Sequence, residues 1–339
     1  MKVLNTNACV HDCKYCMHST SCKQNPKTGF QPKELADLFM QMYTRNYVEG
    51  LFLSSGVIGN ETIAQEKMLE AVQIIRNQYH YDGYMHLKVM PGANFDHVQQ
   101  LVEIADRVSI NLESPTKNGF SELISTKDYK ADILRRMKYI QSAKRRLQVP
   151  GGVTTQMVVG AANETDLNYI NRMEKLYDEF GIYRTYFSAF DPVCGSPLEK
   201  NKAIPLRREN FLYRIDWLVR FYGFEFSEIK EIPNDFGNLS LSIDPKLALA
   251  LKTSDRFPVD VNHANEDELL HVPGIGPIAA KRILQKRNQN QTIRNEKELK
   301  QIGVVLNRAL PFVAIEGKKQ SRLGEFVEKP MLAEAIALA

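Results

Sequence analysis

The sequence predicts an α/β fold, a parallel sheet with helical crossovers, followed by a small all-α domain. Two observations predict this class. Apolar runs of strand length alternate with amphipathic helical patterns over the first two thirds of the chain, as expected of parallel strands joined by right-handed crossovers. Short helical patterns around glycine-containing turns fill most of the remainder. The 339 residues, 43% of them hydrophobic, suffice for one large core and one small domain.

Six strands are predicted, each followed by a helical pattern. The strands are residues 2–6, 51–53, 85–89, 108–112, 154–159 and 184–187. The helices lie near residues 33–46, 62–79, 95–105, 130–146, 165–180 and 208–222. Six repeats are too few for a closed eight-stranded barrel and favour an open, partial one. In either geometry the chemistry is expected at the carboxyl ends of the strands.

Composition divides the chain into four predicted parts. A partial barrel covers residues 1–225, a turn-rich connector covers 226–256, and a compact helical unit covers 257–315. The tail, 316–339, is expected to be poorly ordered or a short docking helix. Neither a secretory signal pattern nor an apolar stretch of membrane-spanning length is present. The sequence therefore predicts a soluble cytoplasmic protein with no membrane partner.

Four of the five cysteines lie within fourteen positions, which favours metal or cluster ligation over disulfides. Cys9, Cys13 and Cys16 follow the first predicted strand, at spacings of four and three. Three thiolates can hold three irons of a four-iron cluster and leave the fourth iron open, as catalysis requires. Cys22 is read as a spare thiol or as a neighbour of the cluster, and Cys194 as a small buried thiol.

A zinc site is the alternative interpretation of the same cysteines. Its fourth ligand would be Cys22, His11 or His18. Structural zinc sites usually present paired Cys-x2-Cys units, however, and only Cys13 with Cys16 has that form. The spacing therefore favours the iron–sulfur cluster.

The segment from Cys9 to Cys16, with Tyr15 before the last cysteine, resembles the Cys-x3-Cys-x2-Cys signature of radical SAM enzymes. The resemblance implies a [4Fe–4S] cluster held by the three cysteines, with S-adenosylmethionine (SAM) on the open iron. One electron, from a donor such as ferredoxin or flavodoxin, then cleaves SAM to a 5′-deoxyadenosyl radical. Tyr15 would pack near the adenine.

Further strand ends resemble the superfamily's SAM pocket. Ser54, Ser55 and Gly56 stand where a Gly-Gly-Glu-like motif binds the methionine amino group through its backbone, although an ordinary turn has the same composition. Glu113 follows the fourth strand and could reach a ribose or an amino group; a surface salt bridge is the alternative.

The fifth and sixth strand ends also resemble that family. Residues 155–164 resemble the second half of a Gly-x-Ile-x-Gly-x-x-Glu motif that supports adenine, with Gln156 in place of the first glycine and Gly160 as the second. Residues 187–198 resemble the sixth-strand exit of the biotin synthase-like branch.

In the C-terminal unit, Asn265 and Glu268 fit a capping box, and a turn of Gly274, Ile275 and Gly276 follows. Pro277 fits the first turn of the next helix. This resembles the helix-hairpin-helix of DNA repair and uptake proteins, in which backbone amides hold a phosphate oxygen. A second, degenerate hairpin is predicted at residues 302–304.

Basic residues support a nucleic-acid partner for this unit. Residues 281–300 carry seven Lys or Arg, beginning with Lys281 and Arg282, against two Glu. A protein-interaction use of the same motif is the alternative. A second basic run, residues 130–146, is better explained as the solvated face of an outer helix, although it could extend a nucleic-acid track.

Taken together, residues 1–315 resemble a family of radical SAM proteins assigned to DNA modification or repair. That resemblance implies an enzyme acting on DNA, with RNA as an alternative target. Two other interpretations stay open: a radical SAM enzyme acting on RNA or protein with a docking module, and a non-catalytic DNA-binding iron–sulfur protein.

Overall fold

The computed structural model describes residues 1–22, 26–144, 147 and 149–319. It divides them into two compact units. The first comprises residues 1–164 and 171–209, and the second comprises 165–170 and the described residues from 210 onward. The domain bounds predicted at 225, 256 and 315 stay predictions. Most of the predicted tail, from residue 320, lies outside the described residues, as do Arg145 and Arg146.

A six-stranded parallel sheet forms the centre of the first unit, with its strands in chain order. The strands are β1 (Lys2–Leu4), β2 (Leu51–Ser54), β3 (Met85–Lys88), β4 (Arg107–Ser109), β5 (Val153–Val159) and β6 (Arg184–Ala189). Neighbours pair in parallel throughout; Lys2 lies opposite Phe52 and His86 lies opposite Arg107, for example. The predicted six-stranded partial barrel is thus confirmed.

Seven helices accompany these strands in the described chain. They are α1 (Pro32–Thr44), α2 (Glu61–Gln73), α3 (Phe95–Ile104), α4 (Lys117–Leu123), α5 (Arg135–Lys144), α6 (Asp166–Phe180) and α7 (Leu206–Tyr222). A π-helical turn, Ile74–Gln78, extends α2, and a second, Tyr129–Leu134, leads into α5. The short helix α4 was not predicted, because seven residues are too few to show a clear apolar period.

Burial alternates along the strands, so that one face of the sheet is packed and the other is partly accessible. In β2, Leu51 and Leu53 are buried, whereas Phe52 and Ser54 are half-buried. The same pattern recurs in β3. Successive side chains of a strand point to opposite faces. One face is therefore packed tightly, and the other is left to line a cavity.

The basic helix α5 shows how the sheet is covered. Its apolar stripe is fully buried: Ile133 (in the preceding π turn), Met137 and Ile140. Arg136 is not a surface charge, because its guanidinium donates to the carbonyls of Gly92 and Ala93. Arg135 and Lys138 are exposed. These contacts favour an outer helix with one solvated face.

Short helices and a small sheet build the second unit. Beyond α7, the helices are α8 (Phe226–Ile229), α9 (Pro245–Lys252), α10 (Glu266–His271), α11 (Pro277–Asn288), α12 (Glu296–Ile302) and α13 (Leu306–Ala309). The strands are β7 (Val259–Asp260), β8 (Val313–Ile315) and β9 (Lys318–Lys319). The helical prediction is confirmed, but "all-α" needs correction. Strand β7 pairs with β8 more than fifty residues away, β8 pairs with the adjacent β9, and all three strands are too short to show a period of two.

One hydrophobic core serves both helical hairpins of this unit. It includes Leu269, Val272, Ile283, Leu299 and Phe312, each at most 1% exposed. No helix in the described residues is both long and apolar enough to cross a membrane.

Candidate functional site

A cavity of about 380 Å³ lies at the carboxyl edge of the six-stranded sheet. Its volume is in the range of small-molecule sites. Chain segments at the ends of all six strands contribute to its lining: Leu4, residues 54–56, Lys88, Asn111, Glu113, Gln156, Val158 and residues 188–191. Cys9, Cys13, Tyr15, Cys16, His18 and Lys127 complete it. The structure therefore brings nearly all the predicted cofactor residues together.

The cysteine loop is held in place by the segment after β2. The Val10 amide donates to the Val57 carbonyl at 2.8 Å. A Cβ atom at position 56 would lie 2.2 Å from the carbonyl oxygen of Ala8, so only glycine fits there. Gly56 was predicted to let a ligand approach, and its position lines the cavity. The contact that demands its small size, however, is with the backbone just before Cys9.

Asp12 anchors the middle of the same loop. Its carboxylate accepts hydrogen bonds from the backbone amides and hydroxyls of Ser125 and Thr126. Although burial opposes ionisation, these bonds lower the pKa of Asp12 to about 2. The carboxylate between Cys9 and Cys13 is thus a structural tie.

Within the described part of the chain, the sulfur atoms of Cys13 and Cys16 each accept a hydrogen bond. Lys127 Nζ lies 3.4 Å from Cys13 Sγ, and the His18 amide lies 3.4 Å from Cys16 Sγ. Burial raises the pKa of Cys13 to about 12, and the Lys127 cation opposes that rise. A thiolate at this depth therefore requires positive charge beside it, from Lys127 or from iron.

Glu113 reaches the cavity through an unusual backbone conformation. Its φ of 67° lies in the left-handed region, where non-glycine residues are uncommon and tend to mark functional sites. The Val158 amide donates to its carbonyl at 2.7 Å and fixes this conformation against β5. Burial, and then the Glu113 carboxylate with which it hydrogen-bonds, raise the pKa of Tyr15 well above its usual value.

Lysines are the main site residues that sequence reasoning missed. Lys88 ends β3, and burial lowers its pKa while the Glu113 carboxylate opposes that change. The strand-end rule that identified Glu113 also applies to Lys88, since it is a charged residue closing an apolar strand. Lys127 follows the unpredicted helix α4, so the sequence carried no comparable signal for it.

The cavity offers groups that suit a polar cofactor and an iron–sulfur cluster. Ser55 Oγ and His18 Nδ1 are buried and have no hydrogen-bond partner within the described chain, so a ligand could satisfy both. Among the described residues, no three His, Cys, Asp or Glu side chains could share one metal ion. A four-iron cluster does not require such convergence, because each thiolate binds a different iron.

The proposed fourth zinc ligands have other contacts. His11 Nδ1 lies 3.1 Å from Thr126 Oγ1. Cys22 is buried, and its thiol donates to the carbonyl of Cys194 at 3.6 Å. The Cys194 side chain is exposed, so its prediction as a buried thiol was wrong. His18 is the zinc candidate that remains in the cavity.

Gly160 is the one predicted cofactor residue that does not line the cavity. Its φ is 76°, and a Cβ atom there would lie within 2.8 Å of Ile204 and Arg208 side-chain atoms. It is a turn glycine packed against the chain that leads into α7. Gln156, at the position of the missing first glycine, does line the cavity.

The predicted hairpin in the second unit is present. Asn265 and Glu268 form the capping box, with bonds of 2.9 and 2.7 Å, and Ile275 is 1% exposed at the junction of the helices. Gly274 has a φ of 88°, and a Cβ atom there would lie 2.6 Å from the Val305 carbonyl oxygen. The first hairpin therefore packs backbone to backbone against the second.

The two predicted basic contacts of this hairpin, Lys281 and Arg282, are both exposed on α11. Arg282 donates to the carbonyl of Ile302 at 2.9 Å, at the end of α12. Arg282 thus joins the two hairpins, which the sequence prediction of a DNA contact did not anticipate.

Comparison with known families decides the class of the first unit. The model for the radical SAM superfamily matches residues 3–173. The chain belongs to the radical SAM superfamily. Its members are enzymes that use a [4Fe–4S] cluster and SAM. A model for the helix-hairpin-helix motif matches residues 255–309. None of the curated proteins matches the sequence.

Two solved structures of a hydrogenase maturase share the fold. HydG, a maturase of the [FeFe]-hydrogenase, is 13% identical, with a TM-score of 0.51 over 62% of this chain and 47% of that one. The HydG structure from Carboxydothermus hydrogenoformans is 14% identical, with a TM-score of 0.50 over 63% and 50% of the two chains. The matched region thus spans about half the length of each maturase. Identities this low establish the fold alone.

Glu113→Gln tests the cavity as a SAM site. We expect SAM to bind roughly 10- to 100-fold more weakly, because the loss of a charge-assisted hydrogen bond typically costs about 1.5–3 kcal/mol. Iron content should not change. The readout is the effect of SAM on the EPR spectrum of the reduced cluster. Glu103→Gln, an exposed carboxylate on α3, is the matched control. Equal SAM affinity in both variants would contradict this role.

Proposed function

We propose that this radical SAM protein generates a 5′-deoxyadenosyl radical in the sheet-edge cavity and acts on nucleic acid that its helix-hairpin-helix unit binds. One observation supports the catalytic part above all others: the three cysteines, Glu113 and two lysines line one cavity at the carboxyl edge of a parallel sheet. The motif match at residues 255–309 supports the nucleic-acid part.

Different residues of the cavity would bind the cluster and SAM. Cys9, Cys13 and Cys16 would hold the cluster, with Lys127 donating to Cys13. When bound, the cluster and SAM supply the radical by one-electron cleavage of the sulfonium. Glu113 carries the charge that a SAM amino group requires, and Lys88 carries the charge that its carboxylate requires. The segment 54–56 supplies backbone and hydroxyl groups beside them.

DNA is the preferred target, with RNA as the alternative. Besides Arg282, four basic residues of the 281–300 run are exposed and suit sequence-independent contact with phosphates: Lys281, Arg294, Lys297 and Lys300. A small reductant protein such as ferredoxin or flavodoxin would supply the electron.

The direct test is SAM cleavage by anaerobically reconstituted, reduced protein. We expect 5′-deoxyadenosine to form and some nucleoside in added DNA or RNA to change mass. No 5′-deoxyadenosine, with an intact cluster and reductant, would favour the non-catalytic DNA-binding interpretation. SAM cleavage without a changed nucleoside, together with a co-purifying protein, would favour the protein-substrate interpretation.

Salt dependence tests the phosphate contacts in the full-length chain. Replacing Lys281, Arg294 and Lys297 by alanine should weaken binding to every duplex alike. It should also flatten the log–log salt slope by up to about three, because each phosphate neutralised contributes about −0.9. Fluorescence anisotropy at several salt concentrations measures this. The matched control replaces Lys33, Arg45 and Lys175, three exposed basic residues of the first unit outside the basic run 130–146, and should leave the slope unchanged.

A different outcome would redirect the proposal. An unchanged slope in the triple variant would show that these residues make no phosphate contacts. No binding of any nucleic acid at low salt, with the protein folded, would contradict the nucleic-acid target itself.

A further inference from the structure

A second cavity, of about 390 Å³, lies within the C-terminal unit beside the first hairpin. The hairpin lines one side with Gly274, Ile275 and Gly276. Gly303, Val305 and Arg308 come from the second hairpin, and Asp244 and Lys246 come from the start of α9. Arg214, Trp217, Leu218 and Tyr222 come from α7. Most of these residues lie outside the turn of residues 274–276, so phosphate binding by that turn does not account for them.

The charges in the cavity are predominantly positive. Arg214, Lys246 and Arg308 face a single carboxylate, Asp244, which already pairs with Arg308. Lys246 is 8% exposed; its ammonium donates to the Ile275 carbonyl at 2.5 Å and lies 4.8 Å from the centre of the Tyr222 ring. Burial, and then Arg308, lower its pKa to about 7, against the pull of Asp244. An anion in the cavity would favour the charged lysine.

Aromatic surface lies beside these cations. Trp217 and Phe221, one turn apart on α7, are 49% and 47% exposed, with ring centres 4.3 Å apart. Of the two, Trp217 lines the cavity. An indole face exposed beside Arg and Lys is the combination with which proteins hold single-stranded nucleic acid, the base stacking on the ring and the phosphate meeting the cations.

We infer that this cavity binds one unpaired nucleotide of a nucleic-acid strand, with its base on Trp217 and its phosphate among Arg214, Lys246 and Arg308. The inference rests on the proposed nucleic-acid function and adds the structural class of the target. A base inside a duplex is stacked on both faces, so it is not available to Trp217. The protein should therefore prefer single strands, overhangs or gaps to intact duplex.

Trp217 also supplies the readout, because it is the chain's single tryptophan. Full-length protein is titrated with a twelve-residue oligo-dT, its blunt duplex, and free thymidine monophosphate. We expect the single strand to quench the tryptophan fluorescence and to bind at least about fivefold more tightly than the duplex. The monophosphate alone should bind far more weakly than the strand.

Substitution then locates the effect. Trp217→Ala should weaken binding of labelled single strand by about 5- to 100-fold in anisotropy, from the usual strength of base–aromatic stacking. Trp217→Phe should retain much of the affinity, and duplex binding should change by less than about twofold. Phe236→Ala, an 82% exposed aromatic elsewhere in the same unit, is the matched control. Thermal melting checks that each variant is folded.

Failure of this inference and failure of the proposed function look different. If Trp217→Ala binds single strand normally and the wild type shows no quenching, the nucleotide site is wrong while nucleic-acid binding survives. If the monophosphate binds as tightly as the strand, the cavity is a small-molecule site and the inference is overturned. If no nucleic acid binds at low salt, the proposed function itself fails.

Discussion

Replacing Cys9, Cys13 or Cys16 by alanine should reduce bound iron from about four atoms per chain to background. Each substitution leaves one iron without its thiolate, in a cavity where this chain offers few alternative ligands. Production of 5′-deoxyadenosine should fall to background as well, because SAM then has no open iron to bind. Iron analysis and the thiolate-to-iron absorption band of anaerobically reconstituted protein measure the first effect, and product chromatography measures the second.

Two cysteines of the same chain are the controls. Cys22→Ala removes a buried thiol that contacts the Cys194 carbonyl, and Cys194→Ala removes an exposed one. Neither side chain lines the cavity, so both variants should keep about four irons. Purified wild-type protein that holds one zinc and no iron would contradict the cluster, and the zinc interpretation would replace it.

The strand pattern could be predicted because each strand is an apolar run bounded by polar residues. All six predicted strands overlap the observed ones, and strands that are consecutive in the sequence are neighbours in the sheet. The elements that were missed are short. Helix α4 and strands β7 to β9 are seven residues or fewer, and tertiary pairing, which the local sequence does not encode, determines them.

The candidate site was predictable where a rule tied residue type to position. The cysteine spacing and the strand-end rule placed Cys9, Cys13, Cys16 and Glu113 in one cavity. Lys127 could not be found in this way, because its contact with Cys13 spans 114 positions. Contacts across such distances depend on how the loops fold over the sheet edge.

Three glycines show that a sequence motif does not by itself predict why a glycine is required. Gly56, Gly160 and Gly274 were all predicted to face a ligand or to let one approach. The structure shows each against protein: Gly56 on the Ala8 backbone, Gly160 on Ile204 and Arg208, and Gly274 on Val305. A motif can therefore mark the right loop while the demand for glycine comes from packing within the chain.

Gly274→Val should lower the free energy of unfolding of the C-terminal unit and leave the stability of the barrel nearly unchanged. Valine at a φ of 88° costs about 1–3 kcal/mol, and overpacking adds typically 1–3 kcal/mol, because a Cβ atom would lie 2.6 Å from the Val305 carbonyl oxygen. We expect a loss of about 2–6 kcal/mol in the free energy of unfolding of that unit. Urea titration followed by Trp217 fluorescence reports it, since Trp217 lies within the same unit.

Gly223→Val distinguishes the cost of the left-handed backbone conformation from the cost of a steric clash. Gly223 also lies in the second unit with a φ of 76°, but a Cβ atom there meets nothing within 4 Å. Its valine variant should therefore lose only the conformational part, about 1–3 kcal/mol, while cluster absorbance in the first unit stays unchanged in both variants. Equal losses at positions 223 and 274 would show that the hairpins are not packed backbone to backbone. A larger loss at 274 would show that collision with the Val305 carbonyl oxygen adds to the conformational strain.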